Sequence, residues 1–202
     1  LVLVNRRLSP EEIKVILEDT NPKAIFYEQG QRVTVQEVLA EGQPVNIRVI
    51  LGHPESGEMA YADLLQSGLA YPVLVPANAP YVIIHTAAVQ GRPRGAVLSQ
   101  ENLLLASLQL TQIFGLDAND ACLNVLPLYH IMGLNLALAA SLGRGTNILM
   151  PQFDPAQTAE FIAREKATVF GSFPPILAQL MQAIQDKATD ASSLRHVIGL
   201  ED

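Results

Sequence analysis

The sequence predicts an α/β protein in which helices flank a mostly parallel sheet, and three observations point there. Short apolar runs of strand length alternate with helical segments along almost the whole chain. Hydrophobic residues make up 49% and charged residues 16% of its 202 residues, a balance that supplies a sizeable buried core. Helix starts carry their own local signals, as in Ser9-Pro10-Glu11-Glu12. There Ser9 can cap, Pro10 suits the first helical position and Glu12 completes a capping box.

Taken in order, Leu1-Val2-Leu3-Val4 reads as a strand, and the helix after Ser9 shows Ile13, Ile16 and Leu17 on its apolar face. Lys23–Tyr27 is a strand, Val33–Leu39 a helix and Asn46–Leu51 a strand. From Gly52 to Ala79 the pattern weakens. His53–Gly57 reads as loop, Tyr61–Leu69 as a short helix, and Pro72, Pro76 and Pro80 mark a connecting segment. The seam between two portions, 1–79 and 80–202, is therefore expected there. Next come an apolar run (Tyr81, Val82, Ile83, Ile84), a short strand (Ala96, Val97, Leu98) and a helix from Glu101 to Phe114. Strands at Ala121–Leu126, Thr146–Met150, Ala167–Phe170 and Leu194–Leu200 then alternate with helices at Met132–Leu142, Asp154–Lys166 and Pro175–Asp186.

Composition excludes several classes. Thirteen Lys and Arg against 20 Asp and Glu give a net charge of −7, which argues against a nucleic-acid or anionic-membrane surface. One cysteine, Cys122, rules out an intramolecular disulfide, and its apolar setting marks a buried structural thiol. No apolar stretch reaches the roughly 18 residues of a membrane span, and no basic leader precedes Leu1. A cytoplasmic protein is the expectation. The abrupt strands at both ends suggest a fragment of a longer protein.

The segment with the most chemistry lies between residues 81 and 102. A strand ends in Thr86-Ala87-Ala88-Val89-Gln90-Gly91, a basic elbow Arg92-Pro93-Arg94-Gly95 follows, and a second strand leads into Ser99-Gln100-Glu101-Asn102. Strand, tight basic loop, strand and helix suit a polyphosphate, because backbone N–H groups and fixed guanidinium groups can point at the anion. The alternative is a plain strand–turn–strand with a solvated basic tip. His53 and His196 belong to no ligand pattern, His85 either packs on a bound nucleotide or is incidental, and no His/Asp/Glu spacing suggests a protein-held metal.

This loop resembles the phosphate loop of the adenylate-forming ligases, the superfamily of acyl-CoA synthetases, which reads roughly aromatic-Thr-Ser-Gly-Thr-Thr-Gly-x-Pro-Lys-Gly. Thr86, Gly91, Pro93 and Gly95 match. Arg94 stands at the family lysine, His85 at the aromatic, and Ala87, Ala88, Val89 and Gln90 at Ser, Gly, Thr and Thr. Further segments match in order. Asn5-Arg6-Arg7-Leu8-Ser9 resembles an N-terminal turn, and Leu126-Pro127-Leu128-Tyr129-His130-Ile131-Met132-Gly133 resembles Leu-Pro-Leu-aromatic-His-x-x-Gly. Gly145-Thr146 with Met150–Asp154, Thr168–Leu177 and Leu194–Gly199 resemble the following steps.

The resemblance implies part of the large N-terminal domain of an AMP-forming acid–thiol ligase. Such an enzyme joins a carboxylic acid to the α-phosphate of ATP and passes the acyl group to CoA, with Mg2+ arriving on the nucleotide. It implies that Thr86, Gly91, Arg92, Arg94 and Gly95 hold the nucleotide phosphates, and that His130 lies beside the acyl-adenylate. Met132 and Gly133, and the turn of Gly171, Phe173 and Pro174, either line the acyl pocket or serve packing and helix entry. The apolar helix after His130 favours a fatty acid. The family's adenine-binding turn, ribose-binding Asp and terminal Lys come beyond the last residue here, so the chain alone is expected to be inactive. A second reading is a non-catalytic relative whose altered loop serves binding or scaffolding.

Overall fold

The structure is a computed structural model and describes residues 1–41, 45–66, 68, 73–86 and 93–199. It divides into two compact units, Leu1–Leu98 and Ser99–Asp202.

In the first unit, helix α1 (Pro10–Thr20) starts with the expected capping box. Ser9 Oγ accepts the Glu12 N–H at 3.3 Å, and Glu12 returns the bond to the Ser9 N–H at 2.9 Å. α1 buries Ile13, Ile16 and Leu17, packing Ile13 and Leu17 with Val38 of helix α2 (Arg32–Glu41). Strands β2 (Ala24–Glu28), β3 (Ile47–Leu51) and β4 (Met59–Ala60) form a parallel sheet in that order. The short helix α3 (Tyr61–Gln66) follows β4. A second sheet orders β1 (Val2–Leu3), β5 (Pro80–His85) and β6 (Gly95–Ser99), with β1 parallel to β5. The connection between β5 and β6 is shorter than the dozen or so residues that a parallel crossover needs, so the two form a hairpin.

The pairing of β5 with β1 and β6 sets the division between the two compact units at Leu98/Ser99. The loop-bearing hairpin belongs to the first unit because its sheet is completed by the first residues of the chain.

The second unit is one parallel sheet in the order β10-β9-β7-β8. Its strands are β7 (Ala121–Asn124), β8 (Thr146–Leu149), β9 (Val169–Ser172) and β10 (His196–Gly199). Helices α4 (Gln100–Ile113), α5 (Ile131–Leu142), α6 (Pro155–Glu165) and α7 (Pro174–Lys187) surround it. Strand alternation fixes which helices cover which face. Cys122 and Val169 point toward Leu136, Ala139 and Ala140 of α5. Their neighbours Leu123 and Phe170 point toward Ala159 and Ile162 of α6 and Leu180 of α7. The expected strand over Ala167–Phe170 lies two residues later, so Gly171 and Ser172 are buried strand residues and not part of a turn. Parallel pairing of Gly171 with Ile198 and of Ser172 with Gly199 overrides their local preference. Among the described residues, no helix is long and apolar enough to cross a membrane.

Candidate active site

The sheet of the second unit contains a topological switch point. From β7 the chain steps to β8 on one side, then crosses to β9 on the other side of β7 and continues to β10. In open α/β sheets the crevice for a ligand opens at the carboxyl ends of the strands that flank such a reversal, here β7 and β9. The segment after β7 carries His130, and the residue after β9 is Phe173.

The path from β7 to His130 is held from below by Asn124, which is buried. Its Oδ1 accepts the Leu126 N–H at 3.0 Å, and its Nδ2 donates to the Gly133 carbonyl at 2.8 Å. One side chain thus ties the strand exit to the first turn of α5. The His130 N–H donates to the Pro127 carbonyl at 3.0 Å, and the His130 carbonyl accepts from Leu134. His130 becomes the N-cap of α5, with its Nδ1 accepting the Met132 N–H at 3.5 Å. Its side chain is exposed, and its ring lies 6.4 Å from that of Phe173 at 88°.

Of the acyl-pocket candidates, Gly133 and Gly171 carry evident packing duties. A Cβ on Gly133 would stand 2.5 Å from the Pro127 carbonyl oxygen and 2.7 Å from that of Leu126. Only glycine allows α5 to approach the strand exit this closely. A Cβ on Gly171 would drive into the buried Leu136 side chain. Met132 packs against the cluster of Cys122, Leu136 and Val169. Phe173 is half-buried and caps α7, and Pro174, exposed, is that helix's first residue.

In the hairpin of the first unit, the Thr86 N–H donates to the Arg94 carbonyl at 3.0 Å, and the Thr86 hydroxyl reaches the same oxygen at 3.4 Å. Gly95 sits where a Cβ would meet Ile83 Cγ2 at 2.8 Å and His85 Nε2 at 3.0 Å, so the glycine lets the two strands of the hairpin close. The Arg94 side chain is exposed and Pro93 is buried. Gly91 and Arg92 lie outside the described residues. His85 at the end of β5 keeps a buried Nδ1 with no hydrogen-bond partner, and burial lowers its pKa. The structure therefore places Thr86, Arg94 and Gly95 together at one loop base, and His130, Met132, Gly133, Gly171, Phe173 and Pro174 together around the β7/β9 edge.

Sequence reasoning missed two polar networks. Asp120, just before β7, has a side chain 3% exposed and accepts from Thr168 at 2.5 Å and from Arg195 at 3.0 and 2.5 Å. Burial pushes its carboxyl up, but the Arg195 and Thr168 hydrogen bonds outweigh burial and hold it at about 2. This cluster lies at the amino ends of β7, β9 and β10, away from the ligand edge. In the first unit, Arg32 binds Glu58 through two nitrogens, Glu55 at 2.6 Å and the His53 carbonyl, while the Tyr27 hydroxyl donates to Glu58 at 2.6 Å. Arg32, followed by Tyr27, brings the Glu58 carboxyl down to about 2; burial, helped by Glu58, raises Tyr27 to about 12. Neither network follows a sequence motif, because each joins residues more than twenty positions apart. Among the described residues, no group of three His, Cys, Asp or Glu could hold a metal ion.

Three comparisons bear on this arrangement. The indoleacetate–CoA ligase of Aromatoleum aromaticum is 32% identical over 201 residues, which is 96% of this chain and 39% of that protein. The long-chain-fatty-acid–CoA ligase of Thermus thermophilus is 30% identical over 96% of this chain and 36% of its own length. A crystal structure from Rhodopseudomonas palustris, assigned as a long-chain-fatty-acid CoA ligase, superposes with a TM-score of 0.89 at 34% identity, over 100% of this chain and 50% of that one. The chain thus spans well under half the length of these two curated relatives. The family profile described as "AMP-binding enzyme" matches residues 1–201, and the chain belongs to that family.

Proposed function

We propose that the protein carrying this chain activates a carboxylic acid with ATP and transfers the acyl group to CoA. The observation that carries this reading is the pairing of His130 and Phe173 at the carboxyl ends of β7 and β9, the switch point of a sheet in an AMP-binding family chain. In the first step a carboxylate oxygen attacks the α-phosphorus, a P–O bond forms, and the bond to pyrophosphate breaks with its electrons leaving on the pyrophosphate. In the second step a thiol sulfur attacks the acyl carbon, its proton is lost and AMP departs.

Each residue has a share in this chemistry. Charge builds on the leaving pyrophosphate, and fixed donors aimed at it are the largest contribution expected. Thr86, Gly91, Arg92, Arg94 and Gly95 take that role, with Arg94 as the main cation. His130 hydrogen-bonds an oxygen of the reacting acid or phosphate. Met132, Phe173 and Pro174 line the acyl side, while Gly133 and Gly171 allow the backbone to close behind them. Mg2+, if bound with the nucleotide, would help neutralise its phosphates. The apolar helix α5 and the fatty-acid names among the relatives support a fatty acid as substrate. We place the protein in the cytoplasm, where ATP and CoA would be at hand.

Replacement of the family's loop residues by Ala87, Ala88, Val89 and Gln90 favours a second reading, a non-catalytic binding relative. ATP–pyrophosphate exchange by the full-length protein across a panel of carboxylic acids decides between them. Exchange with any acid supports the ligase, and no exchange with all of them overturns it.

A further inference from the structure

We propose that Phe173 is a positioning residue for His130. Together with the first turn of α5, it holds the neutral imidazole in a single tautomer, with the proton on Nε2 and that N–H turned to the crevice. This rests on the ligase reading for its consequence in catalysis, but not for its geometry.

A neutral imidazole has one donor nitrogen and one acceptor nitrogen. His130 Nδ1 faces the start of α5 and accepts the Met132 N–H. A helix N-terminus offers unsatisfied N–H donors and a partial positive charge, and both favour a lone pair over a proton at Nδ1. The proton then belongs on Nε2, for which the structure gives no protein partner among the described residues. At 3.5 Å the Met132 contact is long, and a hydrogen bond of that length fixes a ring poorly. A second constraint is needed.

Phe173 provides it. Its ring stands at 88° to the imidazole with centroids 6.4 Å apart, within the range where edge-to-face aromatic pairs attract. Phe173 is itself well anchored. It precedes Pro174, which restricts the preceding residue to extended backbone, and it adopts φ −125 and ψ 157. The partnering of Asn124 with Gly171 fixes the register of β7 against β9, and Asn124 also ties the first turn of α5 to the end of β7, so Phe173 just after β9 and His130 at the start of α5 are held from neighbouring strand ends. The peptide of His130 is bound on both sides, to Pro127 and Leu134. What remains free in His130 is rotation of the ring, and the Phe173 ring opposes that rotation.

Chemically, a fixed Nε2–H is a donor already turned toward an oxygen of the acid or phosphate, so no ring rotation has to be undone in the transition state. A residue that merely lined the acyl pocket would alter binding of the acid and leave the imidazole alone.

The test uses the full-length protein with 15N-labelled histidine. The His130 signal is assigned from its loss in His130→Gln, and spectra are recorded at about pH 8.5, above the ordinary imidazole range. Wild type should show a protonated Nε2 and a bare Nδ1. Phe173→Leu, which keeps apolar bulk, should give averaged nitrogen shifts and lower kcat for pyrophosphate exchange roughly three- to tenfold, with KM for ATP unchanged. Phe173→Tyr, which keeps the ring, should restore both. The proposal is overturned if Phe173→Leu keeps the Nε2–H signature and kcat, or if only KM for the acid changes. If no acid supports exchange, the ligase reading falls while the nitrogen spectrum still decides the clamp.

Discussion

Asp120→Asn should loosen the second unit without touching the chemistry. Asp120 has the marks of a catalytic acid: it is buried, charged, and hydrogen-bonded to Thr168 and Arg195. Yet it sits at the amino end of β7, and His130 follows the carboxyl end. Its carboxyl is held at about 2 against an ordinary 3.8. At 1.36 kcal/mol per unit that difference is worth up to about 2.5 kcal/mol. Arg195 is 46% exposed, so solvent screens its half of the pair, and about 2 kcal/mol is the better figure. Because the folded carboxyl is the stronger acid, the stabilisation is complete above the ordinary carboxylate range. It drains away as the pH falls from about 5 through about 2. With a urea slope of about 2 kcal/mol/M, the Asp120→Asn midpoint should fall by about 1 M at pH 7. The gap between the two proteins should narrow toward pH 3, where wild type has lost much of the same contribution. An unchanged midpoint at pH 7, or a gap that persists in acid, would refute the linkage. A large fall in pyrophosphate exchange by fully folded Asp120→Asn would refute its placement away from the site.

Other outcomes follow from single contacts. Arg94→Ala should slow adenylation by roughly ten- to a hundredfold, the worth of one charge-assisted contact of about 1.5–3 kcal/mol. Folding should change little because the side chain is exposed, and Arg94→Lys should recover part of the rate; exchange kinetics and a thermal melt check both. Gly133→Ala forces a Cβ into two carbonyl oxygens of the strand exit. It should cost about 1–3 kcal/mol by overpacking and lower the exchange rate as well, because the displaced segment carries His130. Cys122 is fully buried with its thiol pushed up to about 12. It should resist a thiol reagent at pH 8 in the folded protein and react once urea unfolds it, whereas rapid labelling of the native state would show that β7 opens readily.

The sequence made local signals legible and left non-local ones hidden. The start of α1 was readable because Ser9, Pro10 and Glu12 act within one turn. The helix after His130 was readable from its apolar run, although not that His130 itself caps it. Strand β4 is two residues long and is held by β3, while the segment before it is tied down through Arg32, Glu55 and Glu58. No local pattern marks such a strand. The end of β9 was misread because glycine and serine ahead of Phe-Pro-Pro look like a turn, and only pairing with β10 extends the strand through them. Strand order is also invisible locally, since the jump from β8 across β7 to β9 is decided by how the crossover helices pack.

That hidden order is what gives the motif residues their meaning. Taken from the sequence alone, His130 and Phe173 are 43 positions apart and share no motif. Placing β9 directly against β7 brings them to a common edge, while that pairing brings Thr168, and the pairing of β10 with β9 brings Arg195, to Asp120 at the opposite edge. The two ends of one sheet are then treated differently. At the amino ends a charged group is buried and its hydrogen-bonding capacity is consumed by protein partners, as stability requires. At the carboxyl ends the buried polar side chains, Asn124 and Ser172, are spent on backbone, and the His130 ring is left exposed with one nitrogen that has no protein partner among the described residues. An uncommitted donor, held by packing at a switch point, is what separates a group placed for a ligand from one placed for the fold.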